Sequence, residues 1–110
     1  MNIGDEILEH QAKREESRAA FRRMIEKARA EMEQAEELVR AAINMRRPRL
    51  SLHKDDRAIL LCRSTYGEPF RITDFDQHGA IGHRDYRADD LRGMAQEIAS
   101  AIHGGFTIRH

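Results

Sequence analysis

An excess charge of either sign is missing from this chain: 19 lysines and arginines are matched by 19 aspartates and glutamates over 110 residues. No net field remains to concentrate nucleic acid or an anionic membrane, and the same balance argues against an acidic mimic of DNA. Cysteine is limited to Cys62, so no internal disulfide can form. Its place in the apolar run Ala58, Ile59, Leu60, Leu61, Cys62 predicts a buried thiol that acts as a small hydrophobe. Tryptophan is absent and aromatics make up 5% of the chain, too few for a stacking platform on single strands. No apolar run approaches the ~20 residues that cross a bilayer, and no charged start leads into an apolar leader. The expectation is a soluble, cytoplasmic protein. This length leaves room for one domain and one modest core, which excludes a two-domain enzyme.

Proline is confined to Pro48 and Pro69, and no glycine follows Gly4 until Gly67. The stretch from Asp5 to Asn44, rich in Ala, Glu, Arg, Met and Leu, therefore reads as one helix covering over a third of the chain. About forty helical residues span roughly 60 Å, more than a module built from the rest could cover. Some of the helix's apolar surface then needs another chain. Apolar residues follow a seven-residue frame, with Phe21, Ala28, Ala35 and Ala42 at one position and Met24, Leu38 and Met45 at the next. Ile25, Met32 and Val39 widen this stripe beyond a simple two-position seam, which predicts packing on a sheet or in a bundle. Alanine at one position permits close approach, and Glu31 interrupts the other.

Arg46, Arg47 and Pro48 close the helix, because basic side chains suit its negative end and proline disfavours helical backbone before it. The period then changes. Arg49 to His53 alternates with Leu50 and Leu52 inward, Lys54-Asp55-Asp56 reads as a turn, and Arg57 to Ser64 as a mostly apolar strand. Residues 65–68 form a second turn, Pro69 to Phe75 a third strand, Asp76-Gln77-His78-Gly79 a third turn and Ala80 to Tyr86 a fourth strand. Short strands on tight connections imply an antiparallel meander. Strict alternation that buries Phe70 and Ile72 also puts Asp74 inside and turns Phe75 out, so a bulge or strand end is expected near residue 74.

Asp89 and Asp90 then stand at the positive end of a second helix, with Leu91, Met94, Ala95, Ile98 and Ile102 on one face. Gly93 within it costs about 1 kcal/mol relative to alanine unless it lets another element close in, the long helix being the natural candidate. Gly104 and Gly105 end the helix with left-handed backbone, and Phe106 and Ile108 alternate as a closing strand. The predicted fold is α+β in the order α-β-β-β-β-α-β. Residues 1–47 form the long helix, and residues 48–110 the sheet and second helix, packed as one domain.

Three constellations carry candidate chemistry. Asp74, Asp76, His78, His83 and Asp85 cluster around one hairpin, where carboxylates and imidazoles suit a divalent ion or acid-base work; their spacing matches no metal template, and all are common turn or surface residues. Arg14, Arg18 and Arg22 form an i, i+4 row fit to track phosphates, with Arg46 and Arg47 further along and Glu15, Glu16 and Glu26 interleaved to weaken the field. Glu31, Glu33, Glu36 and Glu37 follow the basic half, a polarity that suits antiparallel pairing of two copies.

The segment RITDFDQHGAIGHRDYRADDLRGMAQEIA, a compact meander leading into a short helix, resembles in layout the small orphan proteins encoded by bacteriophages and mobile elements. Some of those, anti-CRISPR proteins among them, block host defence complexes. The resemblance implies a non-enzymatic inhibitor that occupies a partner's surface, and it transfers no functional residue. The leading expectation is a homodimeric protein-interaction module with Phe21, Met24, Ile25, Ala28 and Met32 at the interface and no cofactor or catalytic residue. Alternatives are a nucleic-acid-associated protein using Arg14, Arg18, Arg22, Arg46 and Arg47, and a metal-dependent enzyme using the 74–85 hairpin.

Overall fold

A computed structural model describes residues 3–65 and 67–109, with side chains from residue 12 onward. Residues 1–2 and 110, at the ends of the two expected segments, and Tyr66, in the turn read at 65–68, lie outside the described residues. The elements are α1 (Ile3–Ile43), β1 (Arg49–Lys54), β2 (Arg57–Arg63), β3 (Phe70–Asp76), β4 (Gly79–Tyr86), α2 (Leu91–His103) and β5 (Thr107–Arg109). This is the α+β order that the sequence predicts. The chain divides into two compact units within α1, one ending at Ala30 and the other beginning at Glu31.

In the first unit, every described side chain from residue 12 to Ala30 is exposed. The sequence there is strongly helix-forming, and its charged coat is solvated.

The second unit holds the core. Five strands pair antiparallel in the order β4-β3-β2-β1-β5, so α2 carries the chain from the β4 edge to the β1 edge, where β5 joins. Ala35, Val39 and Ala42 of α1 and Met94, Ala95, Ile98 and Ala101 of α2 form one buried cluster with Leu50, Leu52, Leu61, Phe70 and Ile72 of the sheet. The alanines at the i, i+7 positions of α1, Ala35 and Ala42, are buried in this cluster.

Two hairpin turns follow from local chemistry. Asp55 takes a left-handed φ of 54°, which aspartate tolerates better than most residues, and lets Lys54 pair with Arg57. Gln77 and His78 link Asp76 to its partner Gly79, whose φ of 123° favours glycine. The expected irregularity lies between Asp74 and Phe75: Asp74 pairs with Gly82 and Phe75 with Ala80, so Ile81 of β4 is the extra residue. A bulged position pairs with nothing across the ladder, and Ile81 is exposed.

Three local expectations need correction. Cys62 is half-buried, because alternation buries Leu61 and turns its neighbour to the opposite face. Gly93 makes room for Asp90: a Cβ there would lie 2.5 Å from the Asp90 carboxylate, which accepts the Gly93 N–H at 2.9 Å and caps α2. The atoms nearest to that position belong to Asp90, three residues away, and not to the long helix. Of the two glycines after α2, Gly105 has left-handed backbone, with φ of 95°, and Gly104 has an ordinary φ of −75°.

Candidate functional site

The residues Phe21, Met24, Ile25 and Ala28 recur at the three- and four-residue spacing that places side chains on one side of a helix. Phe21 is 63% exposed, Met24 69% and Ile25 43%, and Ala28 is also exposed. Met32, next in the same series, is half-buried and packs against the core of the second unit. The stripe thus changes role along α1, from solvent-facing through Ala28 to core-forming from Met32 onward. Glu31, at the interrupted position, is mostly buried and meets His103 Nδ1 of α2 at 3.0 Å. That contact gives the break in the seam a structural use.

The basic row keeps its side chains in solvent. Arg14, Arg18 and Arg22 are exposed and enter no ion pair among the described residues, and Arg46 and Arg47 behave likewise.

The hairpin cluster is dispersed by the sheet. Asp74 lies on the face of the sheet that meets the helices, where Arg84 of β4 donates to it through Nη1 at 2.7 Å and Nη2 at 3.1 Å. Asp85 lies on the opposite face and takes Arg71 Nε at 2.7 Å and Nη2 at 3.3 Å. The hydrogen bonds from Arg71 hold the Asp85 carboxyl below its usual range. Asp76 Oδ1 accepts the His78 backbone N–H at 2.7 Å, a local turn contact. With two carboxylates clasped by arginine on opposite faces and a third closing a turn, the donors do not converge on a common point. Among the described residues no group of three His, Cys, Asp or Glu side chains is placed to hold an ion.

Arg84 also pairs with Glu97 of α2, and Tyr86 donates its hydroxyl to the same carboxylate. Hydrogen bonding to Asp74, supported by Glu97, holds the Arg84 guanidinium above its ordinary value. Burial, aided by the hydrogen bond and negative charge of Glu97, pushes the Tyr86 phenol up to about 12. This chain of polar side chains ties β3, β4 and α2 together where β4 contributes little apolar cover.

A further concavity, about 710 Å³ in volume, lies between the C-terminal part of α1 and the β1–β5 corner. Leu38 and Met45 of α1, Leu50 of β1 and Ile108 of β5 supply its apolar wall. Arg49, Ser51 and His53 of β1 and Arg109 of β5 also border it, from the sheet face opposite to Leu50, Leu52 and Ile108, with Ser51 Oγ and His53 Nε2 paired at 2.7 Å. The alternation Arg49-Leu50-Ser51-Leu52-His53 shows this polar face in the sequence. What it does not show is that β5 brings Arg109 beside it.

Comparison with family models, curated proteins and solved structures found no match to this chain. None of its helices, among the described residues, is long and apolar enough to cross a membrane.

Proposed function

We propose that this chain is a non-enzymatic protein-interaction module that forms a homodimer through α1, with Phe21, Met24, Ile25, Ala28 and Met32 as the contact stripe. One observation carries the reading. Of five exposed large apolar side chains among the described residues, three, Phe21, Met24 and Ile25, fall within five consecutive positions of one helix. Soluble monomers tolerate scattered apolar side chains, but a contiguous patch of this kind marks an association surface. Aromatic and methionine anchors within a charged surround are the usual make-up of such a surface. Basic residues from Lys13 to Arg29, followed by Glu33, Glu36 and Glu37, favour antiparallel alignment of two copies, a role in which charges set orientation more than affinity. The layout resemblance to phage-encoded anti-defence proteins extends the proposal: the dimer acts as an inhibitor that occupies a surface of a host complex.

Sedimentation equilibrium of the full chain at micromolar concentration tests the dimer. The expected result is a twofold mass that Met24→Glu and Phe21→Glu each reduce to the monomer while the thermal unfolding of the sheet domain stays cooperative. A wild-type chain that remains monomeric throughout overturns it.

The nucleic-acid reading retains one specific support, the exposed row Arg14, Arg18 and Arg22, which has no ion-pair partner among the described residues. A gel-shift titration across salt separates the two, because phosphate tracking gives affinity that falls steeply as salt rises. Absence of binding at low salt eliminates that alternative.

A further inference from the structure

We infer that the face of the sheet turned away from the helices docks a protein partner that presents apolar side chains flanked by carboxylates. The inference rests on the reading of the chain as an interaction module and names the partner's chemistry, but it uses no side chain of the dimer stripe. Its first support lies in β2, the middle strand of five. An antiparallel sheet with one face in water carries polar side chains on that face, whereas a strand apolar on both faces is the pattern of one covered on both. The run Ala58, Ile59, Leu60, Leu61, Cys62 is of the second kind. Leu61 is in the buried core and Ile59 packs against it, so alternation turns Ala58, Leu60 and Cys62 to the other face. Those three are half-buried and lie outside the core cluster, as does Phe75, which pairs with Ala58 from β3. The buried side chains of α1 and α2 all join the core, on the opposite face.

The second support is charge, and it selects the occupant. Arg49 pairs with Cys62, and Arg109 pairs with Ser51, itself opposite Leu60, so both arginines flank the apolar centre on its own face. Neither has an ion-pair partner among the described residues, whereas Arg71 of the same face is held by Asp85. Asp85 is the only carboxylate at the strand positions of this face. A second copy laid on it brings two more unmatched arginines and one carboxylate already in use. Like charges juxtaposed across an interface disfavour that packing, so the fitting partner supplies its own acid. A nucleic acid also supplies anions, but Phe75 is the one Phe, Tyr or Trp at these strand positions, too few for base stacking. An apolar centre with a charged rim is instead the anatomy of a protein interface.

Fluorescence anisotropy of the full chain with labelled hexapeptides tests this. The probe Glu-Glu-Leu-Leu-Glu-Glu carries both features, Lys-Lys-Leu-Leu-Lys-Lys reverses the charge, and Glu-Glu-Ser-Ser-Glu-Glu removes the apolar pair. Saturable binding of the first probe is expected, with each of the others weaker by about tenfold. Arg49→Glu and Arg109→Glu should each weaken the first probe by about threefold or more, and the double variant should prefer the lysine probe. Leu60→Thr, a β-branched replacement at a half-buried strand position, should weaken it similarly while unfolding stays cooperative. Met24→Glu should leave probe binding unchanged, which separates failure of the α1 dimer from failure of this face. The inference is overturned if the first probe does not bind saturably, or if the three probes bind equally and the arginine variants change nothing. Stronger binding of a labelled thymidine oligonucleotide than of the acidic probe would overturn it in favour of nucleic acid. Self-association that persists in Met24→Glu and is lost in Leu60→Thr would overturn it in favour of a second copy.

Discussion

Asp74 of β3 and Arg84 of β4 join in a two-pronged ion pair across neighbouring strands, at 2.7 and 3.1 Å, on the sheet face that elsewhere is packed with leucine and isoleucine. The pair resolves the conflict posed by alternation, in which burying Ile72 carries Asp74 inward. Arg84 also meets Glu97, so removing it leaves Asp74 without its arginine and Glu97 with Tyr86 alone, whereas removing Asp74 leaves Arg84 with Glu97. Both side chains keep partial contact with water, with 42% of the arginine and 27% of the aspartate exposed, which limits the effect. Urea unfolding should therefore show Arg84→Ala destabilised by about 1–2 kcal/mol and Asp74→Ala by about half as much. Equal losses would contradict the shared role of Arg84.

Tyr86 gives a pH signature. Burial and Glu97 push its phenol from 10.0 to about 12, so the folded protein holds this proton when the unfolded chain has released it. The stability it contributes is complete below pH 10 and is lost as pH rises through about 12. Near-ultraviolet absorbance of a Tyr66→Phe variant isolates this phenol from the other tyrosine. The titration midpoint should lie near 12 and move down toward 10 in Glu97→Gln. A midpoint at 10 in the folded parent chain would remove the Tyr86–Glu97 contact from the account.

The N-terminus of α2 predicts a non-additive pair. Asp90→Ala loses the bond to Gly93 N–H and should cost about 1 kcal/mol, a usual value for a helix cap. Gly93→Ala gains about 1 kcal/mol of helix propensity but displaces the Asp90 carboxylate, so the two effects offset each other. In the Asp90→Ala background that conflict is gone, and Gly93→Ala should stabilise by close to its full propensity. Thermal denaturation of the four proteins measures the coupling directly. Equal effects of Gly93→Ala in both backgrounds would contradict it.

These cases also show what was legible from the chain alone. Turn chemistry at Asp55-Asp56 and Gln77-His78 set the strand boundaries to within a residue or two, because few other sequences close such tight hairpins. The Asp74–Phe75 conflict announced a bulge, yet a clash of patterns says only that one residue must be extra. That Ile81 of β4 is that residue depends on pairing between strands. Gly93 is legible as a cost, but a glycine in a helix does not say which neighbour uses its space, and here it is Asp90, three residues away. The carboxylates and imidazoles of the 74–85 hairpin were adjacent in sequence, and the pleat sent Asp74 and Asp85 to opposite faces. Arg49 and Arg109 are the converse: sixty positions apart, they become neighbours only because β5 crosses to the β1 edge.

Leu52 and Phe21 should respond to truncation in opposite ways. Leu52 is fully buried between the sheet and the helices, so Leu52→Ala removes packed methyl groups and leaves a cavity, at a cost of about 2–5 kcal/mol. Phe21 is 63% exposed and lies on a solvated helical segment, where truncation of a monomer changes stability by about 0.5 kcal/mol or less. In a homodimer held by Phe21 the comparison acquires a concentration axis, because association stabilises the folded chain by mass action. Thermal midpoints measured from dilute to concentrated protein should rise for the parent chain and for Leu52→Ala, the latter offset downward throughout. For Phe21→Ala the midpoint should begin near the dilute parent value and rise less. Midpoints independent of concentration for all three proteins would remove Phe21 from any self-association, while the loss in Leu52→Ala would still stand as a property of the core.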